Sequence, residues 1–178
     1  KSLDIREQMD NRLRAAAHAV PRLLGNDYLE RARTADGLRE GEYLEQVRNL
    51  GEYAGEVDLK FAYTLMVDSG GRVFYLSDGA SGSEIASDSY AKHLEEYTDA
   101  SPAVIQAARS NQAQFDEYTD SYGTFRSIFL PMRTSGGQPY VVGVDVTLSS
   151  LDQAIADSLR SLLLIGAVTL GIGLLLSW

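Results

Sequence analysis

The apolar and polar positions of this chain alternate between two periods. In "LDIREQMDNRLRAAAHAVPRLL" the residues Ile5, Met9, Leu13, Ala16 and Val20 fall three to four apart, with Asp4, Arg6, Glu7, Asp10 and Arg14 mostly off that stripe. The spacing predicts an amphipathic helix, kinked or ended at Pro21 and stopped by Gly25-Asn26. A shorter helix is predicted over "GEYLEQVRNLGEYAGEV", with Leu44, Val47 and Leu50 on one side. The period then falls to two. "KFAYTLMVDSGGRVFYLSD" holds two runs rich in β-branched and aromatic residues, split by a Gly-Gly turn, which predicts a hairpin. "GASGSEIASDSYAKHLEEYTDA" reads as small turn residues followed by a helical turn, and "SPAVIQAARSN" as a short helix with Ser101 as N-cap and Pro102 at its first position.

Three further strands are predicted, "QFDEYTD", "TFRSIFLPMR" and "QPYVVGVDVTL", with Ser135-Gly-Gly as the turn between the last two. A final helix restarts at Ser149 or Ser150. Five strands in this order, mostly antiparallel and preceded by a long helix, predict an α+β fold with a PAS-like sheet.

Charge narrows the partners. The 178 residues carry 25 acidic against 16 scattered basic side chains, a net charge of −9, which disfavours binding to nucleic acid. There is no cysteine, so disulfides and thiolate chemistry are excluded. Residues 161–178, "SLLLIGAVTLGIGLLLSW", carry no charged side chain. As a helix they would span about 27 Å, close to a bilayer core of about 30 Å, with Trp178 at headgroup level. Ala167 and Gly171, like Thr169 and Gly173, have the small-residue spacing of packed membrane helices. The expected layout is a lead dimerisation helix over 1–27, a sensing domain over 28–148, a juxtamembrane helix over 149–160 and a membrane helix over 161–178. The abrupt ends read as those of a fragment, with a preceding membrane helix and a following cytoplasmic part outside it.

Catalytic patterns are sparse. His18 and His93 lie in different segments, His18 reading as a packing or surface residue, and the serines form no nucleophile elbow or phosphate loop. "DGASGSE" has cation-loop oxygens without calcium-loop spacing and reads as a flexible turn. Tyr118 and Asp120 share one face of a strand, and Asp145 interrupts an apolar run where burying a carboxylate is costly unless it is paired or hydrogen-bonded. Two readings are open from spacing alone. Asp145 lines a pocket with Asp120, or it caps the helix region that follows or pairs with Arg126.

Taken in order, "FAYTLMVDSGGRVFYLSDG", "DASP", "YTDSYGTFRSIFLPM" and "GQPYVVGVDV" resemble the extracytoplasmic Cache sensor domains of bacterial signalling receptors, in particular single-Cache forms, over about residues 56–148. In related amino-acid-binding double-Cache receptors a Tyr-x-Asp and the Asp of the last strand hold the ligand's amino group. The resemblance places that role on Tyr118, Asp120 and Asp145. Those receptors also grip the ligand's carboxylate with an Arg-x-Trp-Tyr motif, for which this chain has "SDSYAKHLEEYTDASP" instead. A cationic or polar ligand is therefore expected rather than specifically an amino acid. Tyr63 and Tyr75 are candidate aromatic walls, and Arg126 is a further candidate ligand contact. The ligand is expected under the loop of roughly residues 78–100.

The resemblance implies the sensing domain of a receptor anchored in the cytoplasmic membrane and facing outwards, of chemoreceptor, histidine-kinase or diguanylate-cyclase type. It implies no cofactor or catalytic residue, a homodimer through the lead-helix stripe, and signal transfer through the last strand to the membrane helix. The rival classes are a tethered interaction module without a small ligand and, less favoured, a tethered enzyme.

Overall fold

The computed structural model describes residues 2–120 and 123–148. The juxtamembrane helix expected over 149–160 and the membrane helix expected over 161–178 lie outside the described residues. Among those that are described, no helix is long and apolar enough to cross a membrane.

Among the described residues, five helices and five strands follow one another as α1 (Ser2–Leu24), α2 (Asn26–Arg31), α3 (Glu42–Glu56), β1 (Phe61–Val67), β2 (Val73–Ser77), α4 (Gly82–Ala86), α5 (Pro102–Ser110), β3 (Gln114–Asp120), β4 (Gly123–Arg133) and β5 (Pro139–Thr147). The strands form one sheet in the order β2-β1-β5-β4-β3, every pair antiparallel. The chain's last strand is therefore its central one. The β1–β2 hairpin turns on Gly71, whose φ of +84° is the left-handed conformation that its sequence position calls for. Pro131 sits in β4 beyond the last residue paired with β3, so its missing N–H removes no bond on that side.

Directly paired residues in an antiparallel sheet project to the same face, and the register divides this sheet cleanly. One face carries Ala62, Leu76, Ile128, Leu130, Val142, Val144 and Val146, and packs against α1, α2 and α3. The other carries Tyr63, Leu65, Val73, Tyr75, Phe129 and Val141, and packs against α5 and the segment between β2 and α5.

The lead-helix stripe belongs to the first of these cores. Leu13, Ala16, Ala17, Val20 and Leu24 are all buried within the chain, with Met9 packed beside them. This corrects the expectation of a dimer seam along Leu13, Ala16 and Val20, because the sheet covers that face of α1. Pro21 neither ends nor replaces the helix, which continues to Leu24, and α2 begins immediately after Gly25. The helical turn expected after Asp78 is α4, which begins within the stretch 78–84 expected as a flexible turn and is closed by a reciprocal capping box between Ser81 and Glu84.

Arg126 ties α1 to the sheet. It lies on the α1 face of β4, where Nε and Nη2 donate to Asp10 Oδ1 at 3.0 and 2.9 Å and Nη2 donates to Asp10 Oδ2 at 2.8 Å. Asp145 lies on the opposite face, so neither its pairing with Arg126 nor a ligand role for Arg126 on that side is possible. Because α1 supplies so much of this core, Leu13→Ala should lower the unfolding free energy by about 2–5 kcal/mol. Urea denaturation followed by circular dichroism measures it, and a loss under about 1 kcal/mol would mean that α1 is only loosely docked.

Candidate functional site

The face opposite α1 does not close completely. Between the sheet and the segment running from β2 to α5 lies a cavity of about 40 Å³, bordered by Tyr63 and Phe61 of β1, Asp145 of β5, Asp120 of β3 and, from the covering segment, Asp78, Tyr90 and Tyr97. A buried water needs roughly 10–15 Å³, so the space as it stands holds a few waters.

The two strand carboxylates are joined by a chain of tyrosine hydroxyls. Tyr63 donates to Asp145 Oδ1 at 3.1 Å, and Tyr97 donates to Asp120 Oδ2 at 2.7 Å. Between them lies Tyr118, whose hydroxyl is 3.4 Å from that of Tyr63 and 3.5 Å from that of Tyr97. Those two separations are long for paired hydroxyls. Tyr118 has one proton, so it can donate to only one neighbour at a time. Tyr75 stacks on Tyr97 with ring centroids 5.1 Å apart and meets Tyr63 edge-on at 6.0 Å.

The apolar run of β5 contains a glycine because of this cluster. A Cβ on Gly143 would lie 2.1 Å from the Tyr63 ring, which crosses directly over that backbone position. Gly143→Ala should therefore displace Tyr63, break its bond to Asp145 and destabilise the domain by about 1–3 kcal/mol. Chemical denaturation tests this, and a neutral substitution would show that the ring is free to move aside.

Asp145 is 2% exposed, and its burial pushes the carboxyl up to about 7. The Ser127 and Tyr63 hydroxyls oppose that shift, while the charges of Asp120 and Asp78 add to it. Ser127 is the cross-strand neighbour of Asp145 on the same face. Its fully buried Oγ acts on the carboxylate electrostatically but meets no partner in hydrogen-bonding geometry. Burial likewise raises Tyr63, Tyr97 and Tyr118, which therefore remain protonated donors.

Asp78 was not among the expected site residues. It follows β2 and accepts backbone N–H bonds from Gly79 at 2.9 Å and Ala91 at 2.8 Å, which fastens the middle of the covering segment to the sheet. It keeps partial exposure because it borders the cavity, yet protein surrounds it closely enough for desolvation to push it up to about 7. Tyr43 adds a second fastening by donating to the Ala91 carbonyl at 2.7 Å. Tyr97, also unforeseen, belongs to a stretch that runs along β2 through Leu94 N–H to Tyr75 O at 2.8 Å and Tyr97 N–H to Val73 O at 2.8 Å.

Of the six candidates, Tyr63, Tyr75, Asp120 and Asp145 border the cavity, Tyr118 stands behind it in the hydroxyl chain, and Arg126 is on the other side of the sheet. The signal for the missed pair was available. Tyr97 opens a second Tyr-Thr-Asp run like that of residues 118–120, and Asp78 directly ends a strand predicted to be apolar.

No protein-family profile and no curated protein matches the chain. Solved structures do match it. The ligand-binding domain of the Campylobacter jejuni chemoreceptor Tlp3 in complex with L-valine aligns with a TM-score of 0.52 at 17% identity, over 86% of this chain and 56% of that one. The sensory domain of Tlp3 with isoleucine bound gives 0.52 at 16% identity, over 86% and 56%. The Tlp3 sensory domain in a further structure gives 0.50 at 18% identity, over 83% and 55%. The chain thus spans little more than half the length of these domains. It shares their fold, a five-stranded antiparallel sheet preceded by a long helix.

Asp145 and Asp78 both bind a proton more tightly in the folded chain than in the unfolded one, where an aspartate titrates near 3.9. The stability they contribute is complete below about pH 4 and is lost as pH rises through about 7. The empty domain should therefore be less stable at pH 8 than at pH 5, and Asp145→Asn should remove part of that decline. Urea midpoints of both proteins at the two pH values measure it. An equal decline in the variant would show that Asp145 is already ionised at pH 5.

Proposed function

We propose that this domain is the ligand-sensing unit of a membrane-anchored receptor and that its cavity takes a small ligand bearing an ammonium or another strong donor. The observation that carries the proposal is the convergence of Asp120, Asp145 and Asp78 on one aromatic-walled cavity bordered, among the described residues, by no Lys, Arg or His. Such a site is electrostatically frustrated when empty, and a cation between the carboxylates relieves the repulsion. The likeness to chemoreceptor sensory domains supports sensing over catalysis. The amino acids bound by Tlp3 are compatible with the ammonium end of the site, but Arg126 faces away from it and cannot hold a ligand carboxylate there.

In this reading the sensor faces outwards from the cytoplasmic membrane, and residues 161–178 are the anchor. The signal leaves through β5, which holds Asp145 and is followed in sequence by residues 149–178. Ligand acts only through a difference in affinity between two arrangements of the sheet and its covering segment, a coupling typically worth 1–3 kcal/mol. If copies associate, they use faces of α1 other than the stripe covered by the sheet.

The small size of the cavity favours one second reading, an interaction module whose pocket is filled by its own side chains. A thermal-shift screen of amines, amino acids and small organic acids decides between them, using the full chain and its Asp120→Asn and Asp145→Asn variants. A cationic ligand at a hundredfold excess over Kd should stabilise the wild type by about 2.7 kcal/mol, and each substitution should weaken the effect. A stabilising compound indifferent to both substitutions would place its site elsewhere, and no stabilisation by any amine would favour the interaction module.

A further inference from the structure

The proposed function requires one positive group, but the cavity presents more negative charge than one ammonium balances. Asp145 is held by the Tyr63 hydroxyl and Asp78 by two backbone N–H groups, donors that carry no compensating charge. Glu84, the fourth acid at the cavity, is paired with Lys60 at 3.1 Å. These acids also stand apart. β2, which leads into Asp78, and β5, which bears Asp145, are separated by β1. Two strand spacings put the backbones roughly 10 Å apart before the side chains converge. Tyr63 and Tyr75 lie on the strands between and beside them, and their rings suit a short methylene spacer or the flank of an ammonium.

We propose that the cavity is built for a compact dication, a short α,ω-diamine without a carboxylate, with one ammonium between Asp145 and Asp120 and the second at Asp78. The inference rests on the sensing function proposed above and adds the ligand class and a role for Asp78. A carboxylate on the ligand has no cationic partner among the described lining residues and would face three aspartates. Asp78 also holds the Ala91 N–H across the mouth of the cavity, so the group that receives the second ammonium is the one that fastens the covering segment. A diamine is larger than the few waters the present cavity holds, and that segment must shift to admit it. The raised titration of Asp78 and Asp145 agrees with carboxylates that lack a counter-charge, and loading with a dication should release protons near neutral pH.

The test is calorimetric titration of the full chain at pH 8 with 1,3-diaminopropane, 1,4-diaminobutane, butylamine and 4-aminobutanoate. At least one diamine should bind about tenfold more tightly than butylamine, since a second charge-assisted contact is gained, and 4-aminobutanoate should bind more weakly than butylamine. Asp78→Asn keeps an acceptor oxygen for the Ala91 N–H and should abolish the diamine advantage while leaving butylamine within about threefold. Tyr43→Phe, which removes the bond to the Ala91 carbonyl at a residue that does not border the cavity, should preserve the advantage and reports whether disturbing the covering segment is enough to lose it. Equal affinity for diamine and monoamine in the wild type overturns the dication and leaves the amine-sensing function standing. Tighter binding of 4-aminobutanoate than of butylamine also overturns it. Failure of every amine to bind overturns both.

Discussion

Everything at the site depends on keeping carboxylates inside a sheet face that is otherwise apolar and aromatic. Asp145 stands on the central strand between Val144 and Val146, whose side chains face the other core. An aspartate there must be hydrogen-bonded, protonated or matched by a cation. Among the described residues, the cavity's border supplies hydrogen bonds and no Lys, Arg or His. Tyr63 reaches Asp145 only because Gly143 leaves room for its ring, so a glycine, a tyrosine and an aspartate form one unit across two strands. Tyr118 and Tyr97 extend that unit to Asp120 on an edge strand. The extension is loose at Tyr118, where a single proton serves two long contacts, and a ligand group entering there would replace weak bonds rather than strong ones.

The two faces of the sheet have opposite electrostatic policies. On the helix face Arg126 is matched by Asp10, with Glu117 at 3.6 Å, and Arg31 of α2 is matched by Glu42, which it holds down to about 2. Those acids have guanidinium partners, and they secure α1 and α3. On the cavity face Asp145 and Asp78 are pushed up towards neutrality by burial. Structural acids with guanidinium partners beside acids with hydroxyl and amide partners is the contrast that separates scaffold from site. Arg126 is one residue from Ser127, yet the alternation of the strand assigns them to different jobs.

That alternation explains what the sequence made legible. Periodicity located all five strands, the lead helix and α3 and α5, because each buries one face against something and the pattern records it. It placed Tyr118 and Asp120 on one face, and it set Asp145 apart as an anomaly in an apolar run. It could not show which element covers which face. The stripe of α1 therefore suggested a second copy, when the covering surface was the sheet that follows it. Arg126 and Asp145 looked like partners for the same reason, since separation in sequence says nothing of register between strands. Asp78, Tyr90 and Tyr97 escaped because they sit in a segment of irregular backbone, where no period assigns a side chain to a face. The short helix α4 was visible only as a turn. Its stability comes from the Ser81–Glu84 capping box rather than from an apolar stripe.

The covering segment gains its place from bonds to the sheet more than from its own regularity. Its far end runs along β2 with backbone bonds, its middle hangs from Asp78 and Tyr43 through Ala91, and its near end is tied by Glu84 to Lys60. Asp78 and Glu84 both border the cavity, and of these two acids Glu84 is paired with Lys60 whereas Asp78 is held by backbone N–H groups. A cation drawn to Asp78, as proposed above, would compete with the Ala91 N–H for that carboxylate, and the segment's position would then depend on occupancy. Asp145 on β5 feels the same ligand through its own carboxylate. In the proposed dication one ammonium would meet Asp145 on the central strand and the other Asp78 at the cover, so the ligand would link the two without any contact passing through the helix-side core. A sheet packed rigidly against α1 on one face and closed by a few polar bonds on the other can change on the second face alone. Asp145 of the central strand and the cavity lie on that face.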